Sequence, residues 1–177
     1  MDAQELEKSI QEIWALFKDT DRRFKETDRR FKETSQEIAA LTGKWGRFVE
    51  GLLVPAVECL FKQRGIPVDK ISQHHKVHKD GQTMEIDILA INEGYAVLIE
   101  AKSSLSVEDV KEHLQTLAQF KRFFPEYTER KVIGAVAGIV IEEGADRYAY
   151  KSGLFVIGQS GETVKILNDK KFVPRTW

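Results

Sequence analysis

Tyr95-Ala96-Val97-Leu98-Ile99-Glu100-Ala101-Lys102-Ser103 reads as a buried β-strand interrupted by two charges. Side chains alternate between faces along a strand, so Glu100 and Lys102, two residues apart, share one face. Burying either charge costs on the order of several kcal/mol unless it is paired or bound to a metal, so the placement asks for a reason. The preceding stretch, Met84-Glu85-Ile86-Asp87-Ile88-Leu89, alternates: Met84, Ile86 and Ile88 point one way, Glu85 and Asp87 the other. Across the short Asn92-Glu93-Gly94 turn, Asp87 can neighbour Glu100.

Two carboxylates on adjacent strands with a lysine one pleat away supply a hard-cation site with a positive charge beside it. Mg²⁺ takes oxygen ligands and keeps several waters, which leaves room for a phosphate oxygen and an attacking water. Lys102 can hold or deprotonate that water while its charge offsets the charge that grows on the phosphate. The plain alternative is a surface aspartate at Asp87 and a same-face structural ion pair between Glu100 and Lys102.

Around this pair the pattern is mixed. Apolar residues at 45, 48, 49, 52, 53, 56, 57, 60 and 61 repeat with helical spacing, Gly65 closes that helix, and Pro55 must kink or break it. Strands follow at 68–78 and 83–92, joined by Lys79-Asp80-Gly81-Gln82. Ser106-Val107-Glu108-Asp109 starts a helix that carries Val107, Val110, Leu114 and Leu117 inward until Pro125 stops it. Residues 132–141 are nearly all apolar, as a central parallel strand covered on both faces would be. A short helix at 143–151 and strands at 154–158 and 163–167 complete an α/β fold, an α-β-β-β-α-β core with a mixed sheet. The basic, aromatic ending Lys170–Trp177 suits packing on the sheet better than contact with a nucleic-acid backbone.

Upstream lies a heptad arm, residues 1–42, before the globular segment 43–177. Ala3, Ile10, Phe17, Phe24, Phe31, Ile38 and Trp45 hold one heptad position, with Leu6, Ile13, Thr20, Thr27, Thr34 and Leu41 three residues later. This predicts a long N-terminal coiled-coil helix and a parallel homodimer in which Arg23 faces Asp28 of the partner; a solvated helix without a partner explains the charges but not the phase of the Phe residues.

The net charge is −1: 8 Lys+Arg against 10 Asp+Glu in residues 1–42, and 19 against 18 beyond. Near neutrality argues mildly against tight duplex binding. The single Cys59 excludes a disulfide framework and a cysteine-based zinc site, and neither a leader nor a membrane span is expected, which together suggest a cytoplasmic protein. His74, His75 and His78 invite reading as a metal cluster, but with no cysteine and a polar edge strand the reading is weak. His113 is taken as a surface residue of its helix.

Gly43-Lys44-Trp45-Gly46-Arg47-Phe48-Val49-Glu50, Ile86-Asp87-Ile88, Ile99-Glu100-Ala101-Lys102 and Gln115-Thr116-Leu117-Ala118-Gln119-Phe120 together resemble the PD-(D/E)XK nuclease superfamily over about residues 43–140. In layout the chain is similar to archaeal Holliday junction resolvases and to nuclease-like proteins with an upstream heptad arm. The resemblance implies a restriction-endonuclease-like fold and metal-dependent DNA phosphodiester hydrolysis leaving a 5′-phosphate, with RNA still open. It implies that Asp87 and Glu100 ligate Mg²⁺ or Mn²⁺, that Glu50 assists metal or water, that Lys102 positions the attacking water, and that Gln119, or Gln115 one turn earlier, orients the site. Ile86 stands where the family name has proline, and no tyrosine follows Gln115 four residues on. A catalytically silent nuclease fold serving as a coiled-coil scaffold is the alternative.

Overall fold

The computed structural model describes the backbone of residues 3–177 and the side chains at 8, 13–31, 33, 34, 48, 49 and 51–177. The chain divides into two units, Met1–Lys44 and Trp45–Trp177. In the first, helix α1 (Ala3–Gly46) leaves Ile13, Trp14, Leu16, Phe17, Phe24 and Phe31 exposed. Its charges pair within the helix, Arg23 to Asp19 at 2.8 Å and Arg30 to Glu26 at 2.8 Å. Such exposed pairs contribute about 0–1 kcal/mol each. Thr20 and Thr27 donate their hydroxyls to the carbonyls of Leu16 and Arg23, which satisfies them along the heptad stripe. The heptad assignments at Ala3, Leu6, Ile10, Ile38, Leu41 and Trp45 fall on side chains outside the described residues.

The second unit is a six-stranded mixed sheet between two helical layers. Its order is β1 (Lys70–Lys79), β2 (Gln82–Ile91), β3 (Tyr95–Leu105), β4 (Lys131–Ile141), β5 (Phe155–Ser160) and β6 (Thr163–Ile166), so spatial order follows sequence order. β3–β4 and β4–β5 are parallel and the other pairs antiparallel. The α-β-β-β-α-β core read from the sequence is present. Pro55 marks a boundary, as expected: a wide π-helical turn (Arg47–Leu53) precedes α2 (Val54–Lys62), with the proline in the first turn, where its missing N–H costs no helical bond. Phe48, Leu53, Val57 and Phe61 pack there on Val97, Ile99, Ala135 and Phe155. α3 (Val107–Phe123) and α4 (Ala145–Lys151) cover the opposite face, on Leu98, Val132 and Val136.

Asp80 and Gly81 both have positive φ, the conformation that a two-residue Asp-Gly hairpin turn requires. The tip is tied to the end of α3: Lys79 donates to the Arg122 carbonyl at 2.7 Å, and Arg122 lies 3.6 Å from Asp80. The tail packs, as read: Trp177 N–H donates to Val132 O at 3.0 Å and Phe172 stacks edge-on against Phe155 at 5.0 Å. Among the described residues no helix is long and apolar enough to cross a membrane.

α3 can approach the sheet because β4 offers no side chain at Gly134. A Cβ there would lie 2.4 Å from Leu117 Cδ1 and 2.5 Å from Leu154 Cδ2, both on buried side chains. Gly134→Ala is therefore expected to destabilise the unit by about 1–3 kcal/mol through overpacking. The measurement is the urea midpoint; an unchanged midpoint would show that α3 does not seat on this glycine.

Candidate active site

The β2–β3 ladder runs from Ile91↔Ala96 to Ile88↔Ile99 and stops there. The next residues in that register are Asp87 and Glu100. Instead of a further backbone bond, Asp87 Oδ2 accepts the N–H of Ala101 at 2.9 Å. Beyond this point β2 stays with β1 while β3 stays with β4, so the sheet divides with the two carboxylates at the fork.

The fork corrects the reading that Met84, Ile86 and Ile88 share a face. Met84 and Ile86 pack with the α3 layer, whereas Ile88 packs with the α2 layer. The alternation resets at Asp87, and on the paired strand at His74, whose φ is +50°. The tip of this hairpin is tied to α3 and its outer half packs with the α3 layer, a tertiary contact that does not show in the pattern of β2 itself.

Glu100 lies on the same face as Leu98, under α3. Lys102 Nζ donates to Glu100 Oε1 at 2.8 Å. Burial, then the neighbouring charge of Asp87, push the Glu100 carboxyl above the ordinary carboxylate range, and Lys102 offsets this only in part. The hydrogen bond to Glu100 holds the Lys102 ammonium above its ordinary value, so it stays charged at neutral pH.

His113 is not the surface residue that the sequence suggested. It is 2 % exposed, and its Nδ1 lies 3.9 Å from Glu100 Oε2. Val110, His113, Leu117 and Phe120 form one helical stripe, so its spacing places it inward; the signal was there and the residue type masked it. Its Nε2 lies 3.3 Å from the Leu98 carbonyl, and Nδ1 has no hydrogen-bond partner. Asp109 is a second carboxylate near the pair, acting on both Glu100 and Lys102 through its charge. Its Oδ2 accepts from Ser106 N–H and Oγ in the capping box.

The remaining candidates lie apart from this cluster or outside the description. Gln115 and Gln119 line a groove of ≈ 600 Å³ between α3 and the outer half of β2, together with Met84, Glu85 and Glu112. The Glu50 side chain lies outside the described residues. His74, His75 and His78 do not converge: His74 lies by Glu85, His75 against the Phe124 ring, and His78 on Thr83 Oγ1. Among the described residues no three carboxylate, imidazole or thiol groups lie together so as to hold a metal ion. The fork offers the carboxylate oxygens of Asp87 and Glu100, the ligand type that a hard divalent cation takes.

Burial holds the His113 imidazole down to about 4 from its ordinary 6.5. The unfolded chain therefore takes up a proton that the folded chain refuses, and this contribution to stability is lost as pH falls from about 6.5 toward 4. His113→Leu removes that component and an unsatisfied buried atom, so its melting temperature should drop less than that of the wild type across this window. Equal drops in the two proteins would mean that the buried ring is not held neutral.

No curated protein matches the chain. Among solved structures, a repair endonuclease from Pyrococcus abyssi is 19% identical, with TM-score 0.40, over 56% of this chain and 43% of its own. A protein of unknown function is 17% identical, with TM-score 0.39, over 58% of this chain and 54% of its own. A complex of EndoMS with double-stranded DNA gives 18% identity and TM-score 0.34, over 62% and 45%. The chain thus spans about half the length of these structures. Residues 55–166 match the model of the family described as Domain of unknown function (DUF8196), and with more than half of its length inside that match the chain belongs to this family.

Proposed function

We propose that the chain is a metal-dependent nuclease acting on DNA. The observation that carries the proposal is the opening of the β2–β3 ladder at Asp87 and Glu100, where a sheet forgoes backbone pairing and two acidic groups flank the gap. The charge of Asp87 adds to burial in raising the proton affinity of Glu100, and a divalent cation would relieve that repulsion. Asp87 and Glu100 would hold the ion, with Glu50 assisting. When bound, Mg²⁺ or Mn²⁺ supplies positive charge to a phosphate and acidifies water.

Lys102 is the group of this chain suited to the water. Its ammonium is charged and half-exposed beside Glu100, so it can orient a nucleophile through its lone pair and neutralise charge building on the phosphate. Gln115 and Gln119, along the adjacent groove, supply neutral donors and acceptors to a substrate strand. The exposed Phe17, Phe24 and Phe31 support a second element of the proposal, a parallel coiled-coil homodimer through residues 1–42.

The closed Lys102–Glu100 pair favours one rival reading, a silent fold in which the two charges only satisfy each other, serving as a coiled-coil scaffold. Incubation of the full-length chain with duplex, single-stranded, flap and junction DNA, and with RNA, separates the two. Cleavage that needs Mg²⁺ or Mn²⁺ and stops with chelator supports the enzyme. Intact substrates throughout, with either ion, would favour the scaffold.

A further inference from the structure

Asp87 stands outside the backbone ladder on both of its sides. In the β1–β2 pairing Gln73 lies opposite Ile88 and His75 opposite Ile86, so His74 faces Asp87, and this is the one row between Lys70↔Ile91 and Lys79↔Gln82 that is not joined. In the β2–β3 pairing the ladder ends at Ile88↔Ile99, one row short of Asp87 and Glu100. His74, Asp87 and Glu100 therefore share a single row across three strands that the sheet leaves open. The Asp87 carboxylate accepts the Ala101 N–H at 2.9 Å instead.

His74 carries the unusual backbone of that row. Its φ is +50°, whereas an antiparallel strand runs near roughly −140°. Among the described residues the other non-glycine position with positive φ is Asp80, in the hairpin turn that requires it, but His74 stands inside a strand of 10 residues. A left-handed residue there is costly, because its Cβ crowds the following carbonyl oxygen. No contact of the His74 side chain offsets this: it is 72% exposed, and its Nδ1 lies 3.8 Å from Glu85 Oε1, too far for a hydrogen bond. What changes at this row is the facing of the strands. Ile71 and Ile88, on one side of it, pack with the α2 layer, and Val77, Met84 and Ile86, on the other, pack with the α3 layer. Irregularities of this kind re-aim side chains beside functional sites.

We propose that His74 is a positioning residue, whose left-handed backbone keeps its row open and frees the Asp87 carboxylate to reach across the fork to β3. The inference rests on the metal-dependent reading above for the chemistry of that carboxylate, and not for its placement. An extended residue at 74 would close the row as a ladder pair and draw Asp87 away from Ala101. The imidazole itself has no part, so the role follows tolerance of positive φ: glycine adopts it freely, asparagine readily and valine hardly at all.

The test compares full-length wild type with His74→Gly, His74→Asn and His74→Val, by amide hydrogen exchange at Ala101 and by calorimetric uptake of Mn²⁺. The position is exposed, so all three variants should fold. The glycine and asparagine variants should match wild type in both readouts. His74→Val should speed Ala101 exchange by roughly five- to tenfold, as the loss of one hydrogen bond implies, and weaken Mn²⁺ binding by on the order of 10–100-fold. A valine variant that melts lower but keeps both readouts would confine His74 to the fold and overturn the proposal. So would a glycine variant that falls with valine, since the imidazole would then be the acting group. Wild type that takes up no Mn²⁺ would defeat the metal-dependent reading alone, because Ala101 exchange still decides the placement: faster in valine only, it upholds the role of His74, and equal in all four proteins, it ends it.

Discussion

Asp87→Asn and Glu100→Gln are each expected to reduce metal-dependent cleavage by on the order of 10³-fold, since a catalytic cation contributes several kcal/mol and about 1.4 kcal/mol corresponds to a factor of ten. The amide variants isolate charge from architecture. Asparagine at 87 can still accept the Ala101 N–H that Asp87 Oδ2 accepts now, whereas alanine would leave that amide unpaired at the fork, at a cost of about 1 kcal/mol or more. Glu100→Gln also predicts opposite signs for activity and stability. A carboxyl whose folded pKa is raised binds its proton more tightly in the folded state, so its contribution to stability declines as pH rises from the ordinary carboxylate range through the folded pKa. Glu100→Gln removes that decline. At neutral pH without metal it should melt higher than wild type, while its metal-dependent cleavage falls as above. Loss of activity accompanied by a lower melting temperature would mean that Glu100 serves the fold rather than the site.

Removing residues 1–42 is expected to convert a dimer into a folded monomer. Phe17, Phe24 and Phe31 are 66%, 68% and 72% exposed and recur every seven residues on one stripe. Leaving each in water forgoes about 1.5–3 kcal/mol, and pairing two copies of the stripe recovers much of it. The intrahelical pairs of Arg23 and Arg30 do not provide this, because exposed ion pairs are weak. The unit Trp45–Trp177 has its own two-sided core, so it should keep its melting transition. Nicking should survive the deletion, while paired cuts on two strands should weaken as the linked second domain is lost. Light scattering on both proteins decides the first part. A full-length monomer at micromolar concentration would rule out the coiled coil.

Much of this was legible in local pattern. The Asp80-Gly81 turn, the Ser106 capping box, the boundary at Pro55 and the apolar run of β4 each depend on residues close together in sequence, where backbone preference and periodicity speak directly. Glu100 and Lys102 stood out because charges in a buried strand violate that periodicity. What escaped was set at a distance. The reversal of facing at Asp87 accompanies the hold of Arg122 of α3 on the hairpin tip, a contact between residues more than 40 positions apart. His113 was overlooked for a different reason: histidine is common on surfaces, and that expectation outweighed a spacing that places it between Val110 and Leu117. Asp109 was read as a helix cap, which it is, but its charge also reaches Glu100.

The strand order has a kinetic consequence. Every strand lies beside its neighbours in sequence, and the two parallel junctions are each bridged by a helix that packs where it emerges. The antiparallel neighbours close short loops, whereas β3 pairs with β4 across the whole of α3, Tyr95 opposite Lys131, and α2 docks on β4 and β5, so the entropy of loop closure is concentrated in those steps. The β1–β2 hairpin should therefore form early, and the parallel pairs with the docking of α2 should set a main refolding phase of roughly milliseconds to seconds. Stopped-flow refolding of the truncated chain measures this directly, and refolding complete within the dead time, nearer the roughly 1–10 μs of a hairpin, would show that the parallel pairs do not limit the rate.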